Sequence, residues 1–73
     1  MVTMSKDLRI HFGQRLKEWR LKRKLTQQEL ADEADIEYKY LQRIEGKKPP
    51  AVRIDMIEKL AKALKVKPSS LVE

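Results

Sequence analysis

The chain has 73 residues, enough for one domain whose core is barely large enough to fold without metals or crosslinks. It has no cysteine and one histidine, which excludes disulfides and thiolate–zinc sites and argues against any metal centre. Seventeen bases against eleven acids leave a net charge of +6, and the charge is segregated: net positive over residues 1–25, net negative over 26–45, net positive again over 46–73.

Aliphatic residues recur at helical spacing nearly everywhere, and strand-like alternation is absent. Leu8, Phe12, Leu16 and Trp19 form one apolar stripe, opposite Arg9, Lys17 and Lys22, and predict a first helix from about Asp7 to Arg23. Residues 1–6 are expected to be flexible. Thr26-Gln27-Gln28-Glu29 is a capping box, so a second helix starts at Gln27 and buries Leu30, Ala31 and Ala34. Asp35-Ile36-Glu37 interrupts it. A third helix then places Tyr40, Leu41 and Ile44 on one face and ends at Glu45-Gly46, where Gly46 suits a left-handed cap. Lys47-Lys48-Pro49-Pro50 is a loop. The fourth helix sets Ile54, Ile57, Leu60, Ala61 and Leu64 on one face, and Pro68 opens a last short helix to Val72. The fold class is therefore all-α, five helices in one domain spanning residues 1–73.

Two short helices joined by about three residues cannot lie antiparallel. They must cross steeply, as in a helix-turn-helix, here over about residues 27–46. The crossing needs a small residue, supplied by Ala31, and apolar residues around it, supplied by Leu30, Ala34, Ile36, Leu41 and Ile44.

The stretch FGQRLKEWRLKRKLTQQELADEADIEYKYLQRIEG, continued by IEKLAKALKVKPSSL, closely resembles the Cro/C1-type (Xre-like) helix-turn-helix domain of phage repressors and small bacterial regulators. TQQELA and the RIEG ending are the most specific parts. Within the family, the restriction–modification controller proteins look especially similar, being equally short and sharing the FG-x-x-L-K opening. The resemblance implies a five-helix, phage-repressor-like fold and binding to double-stranded DNA. Gln27 matches the glutamine that meets a phosphate at the start of the second helix, with Thr26 beside it, although a solvated first-turn residue would look the same. Arg20 matches an arginine that pairs with the glutamate ending the recognition helix, here Glu45. Lys47 and Lys48 follow that helix where relatives touch the DNA backbone.

Once Tyr40, Leu41 and Ile44 are assigned to the core, the third helix presents Glu37, Tyr38, Lys39, Gln42 and Arg43 outward. Arg43 and Lys39 can donate to guanine, Gln42 can pair with adenine, Glu37 can accept from cytosine, and Tyr38 can meet a thymine methyl or a phosphate. Lys39 and Arg43 could equally touch phosphates alone. Asp35 stands where the family usually has glycine, Glu37 where it has Ser or Thr, and Gly46 comes one residue early.

The leading expectation is a sequence-specific regulator binding a palindromic operator as a homodimer through Leu71 and Val72. The alternative is an antitoxin-like or adaptor module that keeps the fold without reading DNA. A membrane-surface binder is weaker, because the first helix needs its apolar stripe for the core. No apolar run approaches the ~20 residues of a membrane span, and MVTMSKDLRIHF lacks a signal-peptide core, so a cytoplasmic setting is expected. His11 adjoins the apolar stripe with no nucleophile or orienting partner, and no phosphate loop or carboxylate pair is visible. Neither an enzyme nor a cofactor is expected, and with no second domain, neither is a small-molecule effector.

Overall fold

The computed structural model describes residues 4–73. Among them the chain forms five helices: α1 Lys6–Lys22, α2 Gln27–Ala34, α3 Tyr38–Ile44, α4 Ile54–Leu64 and α5 Ser69–Val72. Helix α2 lies at the centre, packed on both α3 and α4, while α1 runs against α5 and touches α3. Phe12 and Leu16 from α1 meet Leu30, Ala31 and Ala34 from α2 in the core. Leu41 and Ile44 from α3, Leu60, Ala61 and Leu64 from α4, Leu71 from α5 and Val52 from the loop complete it. No helix among the described residues is long and apolar enough to cross a membrane.

Three helices end in the same way. The amides of Lys24 and Leu25 return to the carbonyls of Leu21 and Arg20, those of Asp35 and Ile36 to Asp32 and Ala31, and those of Lys65 and Val66 to Lys62 and Ala61. This double bond pattern puts one residue in the left-handed region, and Lys24 (φ 57°), Asp35 (φ 56°) and Lys65 (φ 60°) occupy it without being glycine. Each is followed by an aliphatic residue, Leu25, Ile36 or Val66, that packs on the core. That apolar contact offsets the steric cost of the left-handed backbone.

The arginines of α1, and Arg23 that caps its end, are also structural. The Arg9 side chain donates to the Met4 carbonyl at 3.1 Å, Arg15 to Ser70 at 3.2 Å, Arg20 to Leu25 at 2.8 Å and Arg23 to Leu64 at 2.9 Å. The carbonyls of Leu64 and Ser70 lie in the last turns of α4 and α5, where acceptors lack intrahelical donors and cations are favoured, and that of Leu25 lies in the connection between α1 and α2. Much of the positive charge of the first segment therefore ties α1 to the other elements. His11 Nε2 adds a tie of its own, 2.6 Å from the Glu73 carbonyl oxygen.

Four expectations need correction. Helix α1 starts at Lys6, a residue before the expected Asp7: Ser5 caps it by accepting from the Leu8 amide at 3.1 Å, and Met4 Sδ accepts from the Val52 amide at 3.2 Å, while residues 1–3 lie outside the described residues. Gly46 does not adopt a left-handed cap; Glu45 ends α3 in the right-handed region and the Gly46 amide bonds to Arg43. The end of α3 is held from outside by Gly13 and Arg20 of α1. Ile54 is 75% exposed rather than in the α4 stripe, because the side chain of a first helical residue tilts back past the edge of the core. Leu71 is fully enclosed within the single chain by α1 and α4, so it is not an apolar residue left over for a second copy. Val72 is 38% exposed.

Candidate nucleic-acid interface

The Thr26 hydroxyl accepts from the Glu29 amide at 3.0 Å, and the Thr26 amide donates to Glu29 Oε1 at 2.9 Å, so the capping box is complete and the start of α2 is sharply defined. Asp35 reverses the chain and Ile36 anchors it, giving a short turn to α3. Ala31 is fully buried where the two helices meet. Glu37 precedes α3 without making a side-chain cap bond. Its carboxylate is exposed, and its negative charge suits the positive end of the helix.

The inner side of α3 is closed: Leu41 and Ile44 are fully buried and Tyr40 is packed on the core. Its outer side is open. Tyr38, Lys39, Gln42 and Arg43 are all exposed, and Lys47 and Lys48 continue this exposure into the loop. Gln42 Nε2 donates to the Tyr38 hydroxyl oxygen at 3.0 Å, one helical turn away.

The C-terminal end of α3 is locked. Arg20 grips Glu45 with two parallel bonds, Nε to Oε2 at 2.9 Å and Nη2 to Oε1 at 3.0 Å. The two side chains are only 8% and 2% exposed, so this is a buried, bidentate ion pair. Gln27 Nε2 donates to Glu45 Oε1 at 3.2 Å, which joins the first residue of α2 to the same carboxylate. Gly13 adds a steric contact: a Cβ there would overlap the Ile44 carbonyl oxygen, so only glycine lets α1 lie directly on the end of α3.

The predicted residues thus fall into two sets. Tyr38, Lys39, Gln42, Arg43, Lys47 and Lys48 are exposed on α3 and the loop that follows it, with Glu37 the acid at its start. Arg20, Gln27 and Glu45 form one hydrogen-bonded cluster behind it, and Thr26 is committed to the cap. Leu71 and Val72 are on α5, in neither set. The other acids are accounted for: Asp32 accepts from Gln28 at 3.0 Å, and Glu29, Asp32 and Glu33 line a depression with Leu25 that no residue of α3 enters. Two site features escaped the sequence reading. The Gln27–Glu45 bond spans 18 residues and has no local signature. The role of Gly13 could have been suspected, since glycine inside an amphipathic helix costs stability unless a close approach requires it.

Two short helices crossing over a buried alanine, with the second locked at its end and polar on its outer side, define a helix-turn-helix domain. Residues 16–71 match the family described as helix-turn-helix. The chain belongs to that family, in its Cro/C1-type form. Control protein C.BamHI of Bacillus amyloliquefaciens is 38% identical over 71 residues, covering 96% of this chain and 86% of that protein. The crystal structure of the restriction-modification controller protein C.AhdI from Aeromonas hydrophila superposes with a TM-score of 0.82 at 36% identity, over 92% of this chain and 98% of that one. The structure of SinR, the master regulator for biofilm formation, in complex with DNA gives 0.81 at 31% identity, over 85% of this chain and 98% of that one.

Proposed function

We propose that this chain is a transcriptional regulator that binds double-stranded DNA sequence-specifically, with α3 in the major groove, of the kind its controller-protein relatives represent. The observation that carries this reading is the outer face of α3. Tyr38, Lys39, Gln42 and Arg43 project together from a seven-residue helix whose back is buried and whose end is fixed by Arg20. Such a helix offers hydrogen-bonding groups of defined position, which base reading requires. Lys47 and Lys48 supply sequence-independent attraction to phosphates. Gln27 keeps a phosphate role open: its amide nitrogen is held by Glu45, but its backbone amide is free at the start of α2.

One such helix reads too few base pairs for useful specificity, so we infer a homodimer on a palindrome with half-sites one helical turn apart. Val72 and the outer side of α5 are the surface left for the second copy, with Leu71 acting from beneath as core. Selection from random DNA should enrich a palindrome, and affinity for it should fall steeply with salt. Sedimentation should show a dimer at micromolar concentration. A failure to enrich any motif would overturn the DNA-reading proposal and favour the protein-interaction module.

A further inference from the structure

The Gln42–Tyr38 hydrogen bond is the one side-chain bond made within the exposed face of α3. Both residues are exposed, and a pair of this kind one turn apart on a helix surface adds little to stability. Its consequence is geometric. A glutamine amide carries N–H donors and a carbonyl acceptor, and free in solvent the side chain samples many rotamers. The hydrogen bond to the Tyr38 hydroxyl holds the Gln42 side chain along the helix, toward the start of α3. A hydroxyl can accept or donate, so the bond fixes where the amide sits, and the amide still offers a donor and an acceptor outward.

A donor beside an acceptor has one good complement in the major groove. Adenine offers an acceptor at N7 and a donor at N6, whereas guanine offers acceptors at both N7 and O6 and would leave Oε1 facing an acceptor. Glutamine also loses rotamer freedom when it docks, and the tether removes part of that loss before DNA arrives. The Tyr38 hydroxyl, accepting from Gln42, still has its own proton to donate.

We propose that Tyr38 is a positioning residue: through its hydroxyl it orients Gln42, and the pair reads one adenine in each half-site. This rests on the DNA-binding reading above. The test compares wild type, Tyr38→Phe, Gln42→Ala and the double variant by binding-site selection, followed by competition with operators altered one base pair at a time. Tyr38→Phe keeps the ring and removes only the hydroxyl of an exposed side chain, so thermal stability should not change. Discrimination for adenine should fall about 10-fold in Gln42→Ala. Tyr38→Phe should lose discrimination at that same base pair and no other, and the double variant should be no worse than Gln42→Ala there. In the protein without DNA, Tyr38→Phe should shift the Gln42 side-chain amide resonances in NMR spectra.

Additive effects, loss at a different base pair, or unmoved amide resonances would each overturn the assignment to Tyr38 while leaving the regulator reading intact. A wild-type protein that enriches no motif would overturn both.

Discussion

Replacing Gly13 by alanine tests how α3 is held. The added methyl would sit inside the van der Waals envelope of the Ile44 carbonyl oxygen and 3.3 Å from its carbonyl carbon. Relief requires about 1 Å of separation between the two backbones. Neither backbone is free to move. On one side Phe12 and Leu16 are fully buried, and on the other Ile44 is fully buried and Glu45 is pinned by Arg20. Overpacking of this kind costs about 1–3 kcal/mol, and a contact between two backbones belongs at the upper end. Alanine recovers about 1 kcal/mol through its better helix propensity, leaving a net loss of about 2 kcal/mol. For a domain of this size that lowers the melting temperature by about 8–16 °C. Thermal unfolding followed by circular dichroism would measure it, with Gln14→Ala at the exposed neighbouring position as the control. Because the clash pushes on the end of α3, DNA affinity should also fall at temperatures where the variant is fully folded. A Gly13→Ala protein melting at or above the wild-type temperature would refute the close-contact argument, since propensity alone would then have decided the outcome.

Arg20→Ala leaves the Glu45 carboxylate buried without its partner and should cost about 3–5 kcal/mol, read from the urea midpoint. Lys65→Gly relieves the left-handed backbone at the end of α4 and should stabilise by about 0.5–1 kcal/mol, seen as a rise in melting temperature. Leu71→Ala should cost about 2–5 kcal/mol whatever the protein concentration, because that side chain completes the core of a single chain; a loss that vanishes at high concentration would place it at a dimer contact instead. In DNA binding, Arg43→Ala should cost about 1–3 kcal/mol and relax preference at one position per half-site. Lys47→Ala should weaken all sequences alike, as measured by titration against specific and random duplexes.

What the sequence determined by itself was local. The capping box at Thr26, the period of the aliphatic residues and the Pro49-Pro50 break act over a few residues, and all five helices lie where those signals put them, with ends within a residue or so of expectation. The residues left outward on α3 followed from that period alone, since removing Leu41 and Ile44 leaves Tyr38, Lys39, Gln42 and Arg43. Resemblance supplied the Arg20–Glu45 pair, which spacing could not, because the partners are 25 residues apart.

Tertiary structure decided the rest. Whether Ile54 and Leu71 are core or surface depends on where α4 and α5 dock: periodicity says which residues share a face, not how far along it the neighbouring helix reaches. The end of α3 is set in the same way. Gly46 has the chemistry for a left-handed cap, yet Gly13, Arg20 and Gln27, all distant in the chain, hold that end and take the place of a local one. The acid-rich second segment likewise has its meaning from three dimensions. The Glu45 charge is spent on Arg20, Glu29 caps α2, Asp32 and Glu33 line a depression away from α3, and Glu37 alone stands where α3 begins.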